Sequence, residues 1–364
     1  MLLPDPTDQP LPFARFDIFL NEDDLSARFC EFNTDGSSGM NENRETWNSI
    51  KDCEPLHRFA QRHRVRDCNP QIFDGWVERF LRIYRSAPGA IEHPHIAVVD
   101  FLENSVTEEF KVYARLFEAA GCTFSVYDIR ELEFTDGRLR GAKPFIGEAN
   151  RPIDAIWRRC LAADLLDHWD ESAAFVNALR AQAFVLIGSF ATNVIHDKQI
   201  FDVLARPECT AFLTPEERGF IARTVPATSL LASSHPQLAQ IKANPHDWII
   251  KPTDGYGCKD VIPGPDHEDD PGEWATIIDA HVDGRAGAPF LVQRFCHPYR
   301  TPAMPFYNRE EDFTAPARSY NNLEGLYLID GEFAGVFCRL GPEALILGRH
   351  GGVTAPSLFV DIDG

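Results

Sequence analysis

Short apolar runs and amphipathic stretches follow one another along the chain in an order that predicts its elements. Residues 11–20 (LPFARFDIFL) and 26–32 (SARFCEF) are apolar-rich runs joined by the acidic turn Asn21-Glu22-Asp23-Asp24, a β-hairpin pattern. Gly36-Ser37-Ser38-Gly39 breaks that pattern. Residues 42–51 and 70–86 then take helical spacing, the second with Ile72, Phe73, Trp76, Phe80, Leu81 and Tyr84 on one stripe. A βαβ pattern begins near residue 90: strand 95–100 (HIAVVD), amphipathic helix 107–120, a stop at Gly121, and strand 123–127. It continues through strand 154–157, a helix at 173–181 and strand 183–187, which together predict a small parallel sheet flanked by helices. Residues 191–245 read as largely helical. From Trp248 the pattern is one of strands, at 248–251, 290–295, 325–328, 333–339 and near 357–360. The Pro- and acid-rich stretches 263–272 and 302–317 read as irregular, and no internal repeat is evident. The fold class expected is α/β (α+β).

A chain of 364 residues, 44% hydrophobic and 11% aromatic, has enough apolar mass for two or three lobes, since a single core stops growing at about 250 to 300 residues. No apolar run reaches the length of about 18 residues needed to span a bilayer. The start Met-Leu-Leu-Pro-Asp-Pro lacks the basic and apolar portions of a signal peptide, so a cytoplasmic location is expected. Nine cysteines, without a C-x-x-C pair or zinc spacing, predict reduced thiols rather than a disulfide framework or a zinc site. A net charge of −20 argues against a nucleic-acid partner, which requires clustered Lys and Arg. The same charge steers cationic substrates favourably, although acidity is equally a solubility device.

Two constellations carry chemistry. Residues 247–261 (DWIIKPTDGYGCKDV) form an apolar strand ending in Lys251-Pro252 and a loop containing Gly255 and Gly257. A strand-end lysine supplies positive charge for phosphate oxygens, and glycines let backbone N–H groups approach them. An ordinary hairpin with an exposed lysine has the same pattern. The second constellation is Arg15-Phe16-Asp17 on the first strand and Glu31-Phe32-Asn33 on the second. Alternation puts Arg15 with Asp17, and Glu31 with Asn33, on single strand faces that a hairpin register can bring together. Two carboxylates and an amide oxygen suit Mg²⁺, although a solvated hairpin face is equally acidic.

Placed together, these residues resemble the glutathionylspermidine synthase-like family, whose ATP-grasp fold is circularly permuted. The family has an R-F-D strand and an E-x-N-A-D strand near its start; this chain has Arg15-Phe16-Asp17 and Glu31-Phe32-Asn33-Thr34-Asp35. Asp154-Ala155-Ile156-Trp157-Arg158-Arg159 resembles the family's D-x-x-x-R/K segment, and residues 193–204 (NVIHDKQIFDVL) resemble its N-K-A-L-L element. Lys251-Pro252, Leu291-Val292-Gln293, residues 326–339 (LYLIDGEFAGVFCR) and residues 354–360 follow in the family's order. The resemblance runs from about residue 12 to residue 360.

It implies three parts: a permuted N-terminal piece of the ATP-grasp core at residues 1–90, a preATP-grasp-like domain at 91–190, and the lid with the remaining core at 191–364. It implies a carboxylate–amine ligase that uses ATP and Mg²⁺ and passes through an acyl phosphate. Asp17, Glu31 and Asn33 would hold the metal, and Lys198, Lys251, Gly255, Gly257 and Gln293 would meet the nucleotide. Arg15 and Arg339 would be catalytic. The partners implied are a small carboxylate of the peptide-like kind and an amine, with a homodimer as the family precedent. The chain departs from the family's K-P-x-x-G-R-E-G loop, since Tyr256 and Gly257 replace the charged pair, and the hydrolysis carried out by the amidase domain of two-domain members is not expected. An ATP-grasp phosphotransferase, or a silent nucleotide-binding regulator, is the alternative.

Overall fold

The computed structural model describes Thr7, residues 9–303 and residues 316–361. The predicted hairpin is formed by β1 (Phe13–Leu20) and β2 (Ala27–Asn33). Its register sets Arg15 opposite Asn33 and Asp17 opposite Glu31, after which Ile18 stands opposite Phe29. Cys30 is thus an extra residue in β2, a bulge that re-aims the local backbone.

Helix α1 (Met40–Ile50) and the longer α2 (Asn69–Ser86) follow. The α2 stripe buries Ile72, Phe73, Trp76, Val77, Phe80 and Leu81, and Trp76 lies 5.2 Å by ring centroid from both Phe13 and Trp157. One helix therefore fills the space between two sheets and joins them through a common core. At about 1.5 to 3 kcal/mol per buried large apolar side chain, this stripe is a main source of adhesion between them.

The second sheet is parallel: β3 (His95–Asp100), β4 (Thr123–Asp128), β5 (Ala155–Arg158) and β6 (Val185–Ile187), in the order β4-β3-β5-β6. Every residue of β3 is buried, and its apolar run 96–99 (IAVV) suits a strand covered on both faces. A small hairpin, Leu132–Thr135 with Arg138–Gly141, lies between β4 and β5.

The stretch expected to be largely helical does hold short helices, but also a strand, β7 (Thr228–Leu230). This strand builds a third sheet with β8 (Trp248–Pro252), β9 (Ile262–Pro263) and β10 (Phe290–Arg294), in the order β7-β10-β8-β9. Helix α3 (Pro271–His281) covers it, burying Trp274 and Ile278 against Ile250 and Val292. Its first two residues, Pro271 and Gly272, lie within the stretch expected to be irregular. Asp270 caps it by accepting from the Glu273 N–H at 3.0 Å, with Pro271 in the first turn.

The chain then returns to its beginning. β11 (Arg300–Ala303), β12 (Arg318–Ile329), β13 (Glu332–Gly341) and β14 (Val353–Ala355) join the first hairpin in one antiparallel sheet, ordered β14-β13-β12-β1-β2 with β11 also on β12. The β12–β13 turn, Asp330-Gly331, has positive φ at both residues (52° and 78°), matching the twist a tight hairpin needs. Of the stretch 302–317, Pro302 and Ala303 belong to β11, and 304–315 lie outside the described residues. Phe359–Val360 pairs with Val65–Arg66. The architecture is mixed α/β with parallel and antiparallel sheets, and no helix among the described residues is long and apolar enough to cross a membrane.

Candidate functional site

The two antiparallel sheets face each other across a cleft of about 810 Å³. Glu31, Leu323 and Arg339 line it from the larger sheet; Ile249, Lys251 and Gln293 line it from the smaller one, with Lys198 and Gly255 beside them. The rest of its wall is mostly apolar, including Phe19, Phe29, Phe295 and Ile346, with Tyr256 and Lys259 from the glycine loop. Lys251, at the end of β8, donates from Nζ to Gln293 Oε1 (2.9 Å) and to the Cys30 carbonyl (3.4 Å), the carbonyl that the bulge in β2 turns out of the ladder. Gln293 is held in turn by donating from Nε2 to Thr228 Oγ1 at 2.8 Å. Lys198 docks by its backbone N–H on the Thr253 carbonyl (2.8 Å) and by Nζ on the Gly255 carbonyl (2.7 Å). Gly255 and Gly257 take φ of 125° and 61°, which glycine adopts without steric cost, and so let the loop turn over the cleft.

A second, more polar cavity of about 1440 Å³ opens beyond the first and shares Glu31, Tyr256, Cys258, Arg339 and Ile346 with it. Arg15, Asn33 and Gly257 line it, as do Asp100 and, from the segments that follow the parallel strands, Ser105, Arg159 and Asp164. The latter group stands at the carboxyl ends of β3 and β5. These are neighbouring strands from which the chain departs in opposite directions, the place where ligands bind in open parallel sheets.

Asp17 lies behind both cavities and lines neither. It is fully buried and bracketed by two guanidiniums. Arg15 donates from Nε to Oδ1 (2.7 Å), from Nη2 to Oδ2 (3.2 Å), and from Nη1 to the Ser38 carbonyl (2.6 Å); Arg339 donates from Nη2 to Oδ2 (2.6 Å). Burial works against the Asp17 charge, but Arg15 and then Arg339 outweigh it, holding the carboxyl below the usual range. Phe337 lies beneath both, 5.6 Å from the Arg15 guanidinium carbon and 5.3 Å from that of Arg339. Glu31 accepts from Asn33 Nδ2 at 3.4 Å.

The structure thus brings Lys198, Lys251, Gly255, Gln293, Glu31 and Arg339 to one cleft, and Arg15, Asn33 and Gly257 to its neighbour, with Asp17 set behind them. Sequence reasoning gave no role to the groups supporting this arrangement, although Asp35, Arg158 and Arg159 stand in motifs it singled out. Thr228 orients Gln293 from a strand too short to carry a period. Asp35 and Arg158 form a buried ion pair, and Arg159 pairs with buried Glu109 at 2.7 Å; the adjacency of Asp35 to the E-F-N segment was the available signal for the first. All nine cysteines are free, and burial raises the Cys258 thiol, which works against a thiolate there. Among the described residues no group of three or more His, Cys, Asp or Glu is placed to hold a metal ion; the expected set has two such residues and an amide.

The fold is similar to that of the crystal structure named "Putative gamma-glutamylcysteine synthetase" from Methylobacillus flagellatus KT. The match has a TM-score of 0.53 and 11% identity, and covers 96% of this chain and 81% of that one. At that identity the likeness is one of fold. A structure of the ATP-grasp ligase PsnB complexed with minimal precursor matches at 13% identity over 72% of this chain and 89% of that one, with a TM-score of 0.31, too low to bear on the argument. No protein-family model matches the sequence, and no curated protein matches it.

Proposed function

We propose that the protein is an ATP-dependent carboxylate–amine ligase of the ATP-grasp type, permuted in the manner of the glutathionylspermidine synthase-like family, which forms an amide through an acyl phosphate. The observation that carries this reading is the meeting of Lys198 and Lys251, from separate segments, in one apolar-walled cleft whose far end opens, at Glu31 and Arg339, into a polar cavity. An apolar slot suits a nucleobase, two lysines suit its phosphates, and the polar cavity suits an acid and an amine. The fold-level likeness to a structure named as a synthetase agrees with it.

Glu31, Asn33 and Asp17 have the hard oxygen donors that Mg²⁺ takes, and the oxygen Asp17 would offer is the one that Arg339 holds. Mg²⁺ held there would supply positive charge to neutralise the phosphates. Lys198 and Lys251 hold the phosphate chain in line, and Tyr256 with the glycine loop covers it from water. Arg339, at the boundary between the two cavities, and Arg15, in the polar one, would present positive charge to the acyl phosphate. The amine approaches from the polar cavity, whose Glu31, Asp100 and Asp164 suit a cation.

The test is ADP formation from Mg-ATP over a panel of carboxylates crossed with amino acids and polyamines, with products read by mass. A pair yielding ADP and a condensed mass is expected. ADP with a stable phosphorylated product and no need for amine would favour a phosphotransferase instead, and no turnover together with no Mg-ATP binding by calorimetry would sink the reading.

A further inference from the structure

We infer that Arg339 is a displaceable guard of Asp17: it occupies the carboxylate oxygen that a divalent cation would take, and must leave it for the cation to bind. Only the identity of the cation's other partners rests on the ligase reading.

The argument starts from access. Asp17 is fully buried and lines neither cavity, whereas Glu31, Asn33 and Arg339 do. Arg339 and Arg15 are the two side chains that both touch Asp17 Oδ2 and line a cavity, and Arg339 makes the shorter contact, 2.6 Å against 3.2 Å. The two arginines on Asp17 are not equivalent. Arg15 spends Nε, Nη1 and Nη2 on Asp17 and the Ser38 carbonyl, so moving it would break three directed bonds. Arg339 makes one such bond, and its Nε is buried without an acceptor, a cost the present position does not relieve. Leaving Asp17 for an anion in the cavity lets Arg339 gain an acceptor for a group that has none.

Charge points the same way. Asp17 and Glu31 are balanced by Arg15 and Arg339, so a cation added to the set meets no net attraction while Arg339 stays. With Arg339 withdrawn, the remaining three groups carry a net negative charge, and Asp17 Oδ2 keeps only the longer 3.2 Å contact from Arg15. The released guanidinium faces the boundary of the two cavities, where an anionic substrate would accept its hydrogen bonds. Cation binding and anion binding thereby favour each other, by the same factor in each direction.

The experiment is Mn²⁺ binding to the purified protein without nucleotide, followed by electron paramagnetic resonance of the free ion. Arg339→Met is expected to bind Mn²⁺ at least tenfold more tightly than the wild type, Arg339→Lys, which keeps the charge, to stay within threefold of it, and Asp17→Asn in the Arg339→Met background to lose the gain. Arg339→Gln serves as a second removal of charge should the Met variant not fold, and thermal unfolding of each variant checks the fold. Unchanged affinity in folded Arg339→Met or Arg339→Gln overturns the inference and makes Asp17 a fixed positioning residue for the two arginines. A gain that persists with Asp17→Asn overturns it as well. Failure of the whole substrate panel together with no Mg-ATP binding by calorimetry would sink the ligase reading and leave this result standing, so the two fail separately.

Discussion

At the scale of single residues, Lys251 and Asp100 make opposite demands on their surroundings. Lys251 is 8% exposed and leans on Gln293 Oε1 and a carbonyl freed by a bulge, partners that orient its charge toward the cleft. Replacing it with Met keeps the length and removes the charge. The expected result is a fall of about a hundredfold in kcat/KM for ATP, corresponding to about 3 kcal/mol of transition-state stabilisation. Steady-state ADP release checks it, and a near-normal rate would remove Lys251 from the phosphate path. Asp100, at the end of β3, is pushed up to about 6 by burial, with Asp164 adding to the shift while Ser105, Arg159 and the Phe101 N–H oppose it. Its folded value exceeds the unfolded 3.8, so its contribution to stability is complete below about pH 4 and is lost as the pH rises through 6. Asp100→Asn should therefore match the wild type near pH 4 and be more stable at pH 8, by on the order of 2 kcal/mol. Urea unfolding at the two pH values decides it, and a variant equally destabilised at both would mean that the hydrogen bonds of Asp100 matter more than its charge.

At the scale of elements, the site depends on how closely β1 and β12 approach. Asp17 stands opposite Gly325, and a Cβ built there would lie 2.6 Å from Arg15 Cδ and 2.9 Å from Asp17 Oδ1. Gly325→Ala should push the Arg15–Asp17 pair apart and cost about 1 to 3 kcal/mol. Denaturant unfolding measures the loss, and less than about 0.5 kcal/mol would show that the pair yields without cost. The pairing of Arg15–Asp17 with Glu31–Asn33 is legible in sequence, because period-two alternation in two adjoining runs fixes which residues share a face. Helix α2 and the parallel strands are legible for the same reason, a strong period over enough residues. Three-residue β7 and two-residue β9 are too short to carry a period, and they exist because β10 and β8 offer open edges. Helix α3 was hidden by its own start signal: Asp270-Pro271-Gly272-Glu273 reads as loop chemistry until its cap is seen. The contact of Arg339 with Asp17 spans 322 positions, and no local pattern encodes it.

At the scale of the whole molecule, the two ends of the chain are woven into one sheet, and the parallel sheet is fastened to it by buried polar groups as well as by α2. Asp35, two residues beyond Asn33, meets Arg158 at the end of β5, and both side chains are essentially inaccessible to solvent. Arg158 also donates to the carbonyls of Gly188 (2.6 Å) and Ser189 (2.8 Å) and to Thr192 Oγ1 (3.0 Å), while Thr34 Oγ1 donates to the Thr192 carbonyl at 2.8 Å. These bonds tie the Glu31–Asn33 strand, the parallel sheet and the segment leading to Lys198 into one frame, so the distance between the acidic hairpin and a lysine of the cleft is set outside the cleft itself. Removing one partner of a buried pair strands the other charge. Asp35→Ala should therefore cost about 3 to 5 kcal/mol, whereas the double change Asp35→Ala with Arg158→Met removes the stranded charge and should cost less than the single one. Urea unfolding of the wild type, both single variants and the double variant closes the cycle. A double variant at least as unstable as Asp35→Ala would mean that Arg158 holds the frame through its carbonyl bonds alone. If the double variant recovers stability yet binds Mg-ATP more weakly than the wild type, the pair serves to set the spacing of Lys198 from the hairpin, a role that packing alone does not replace.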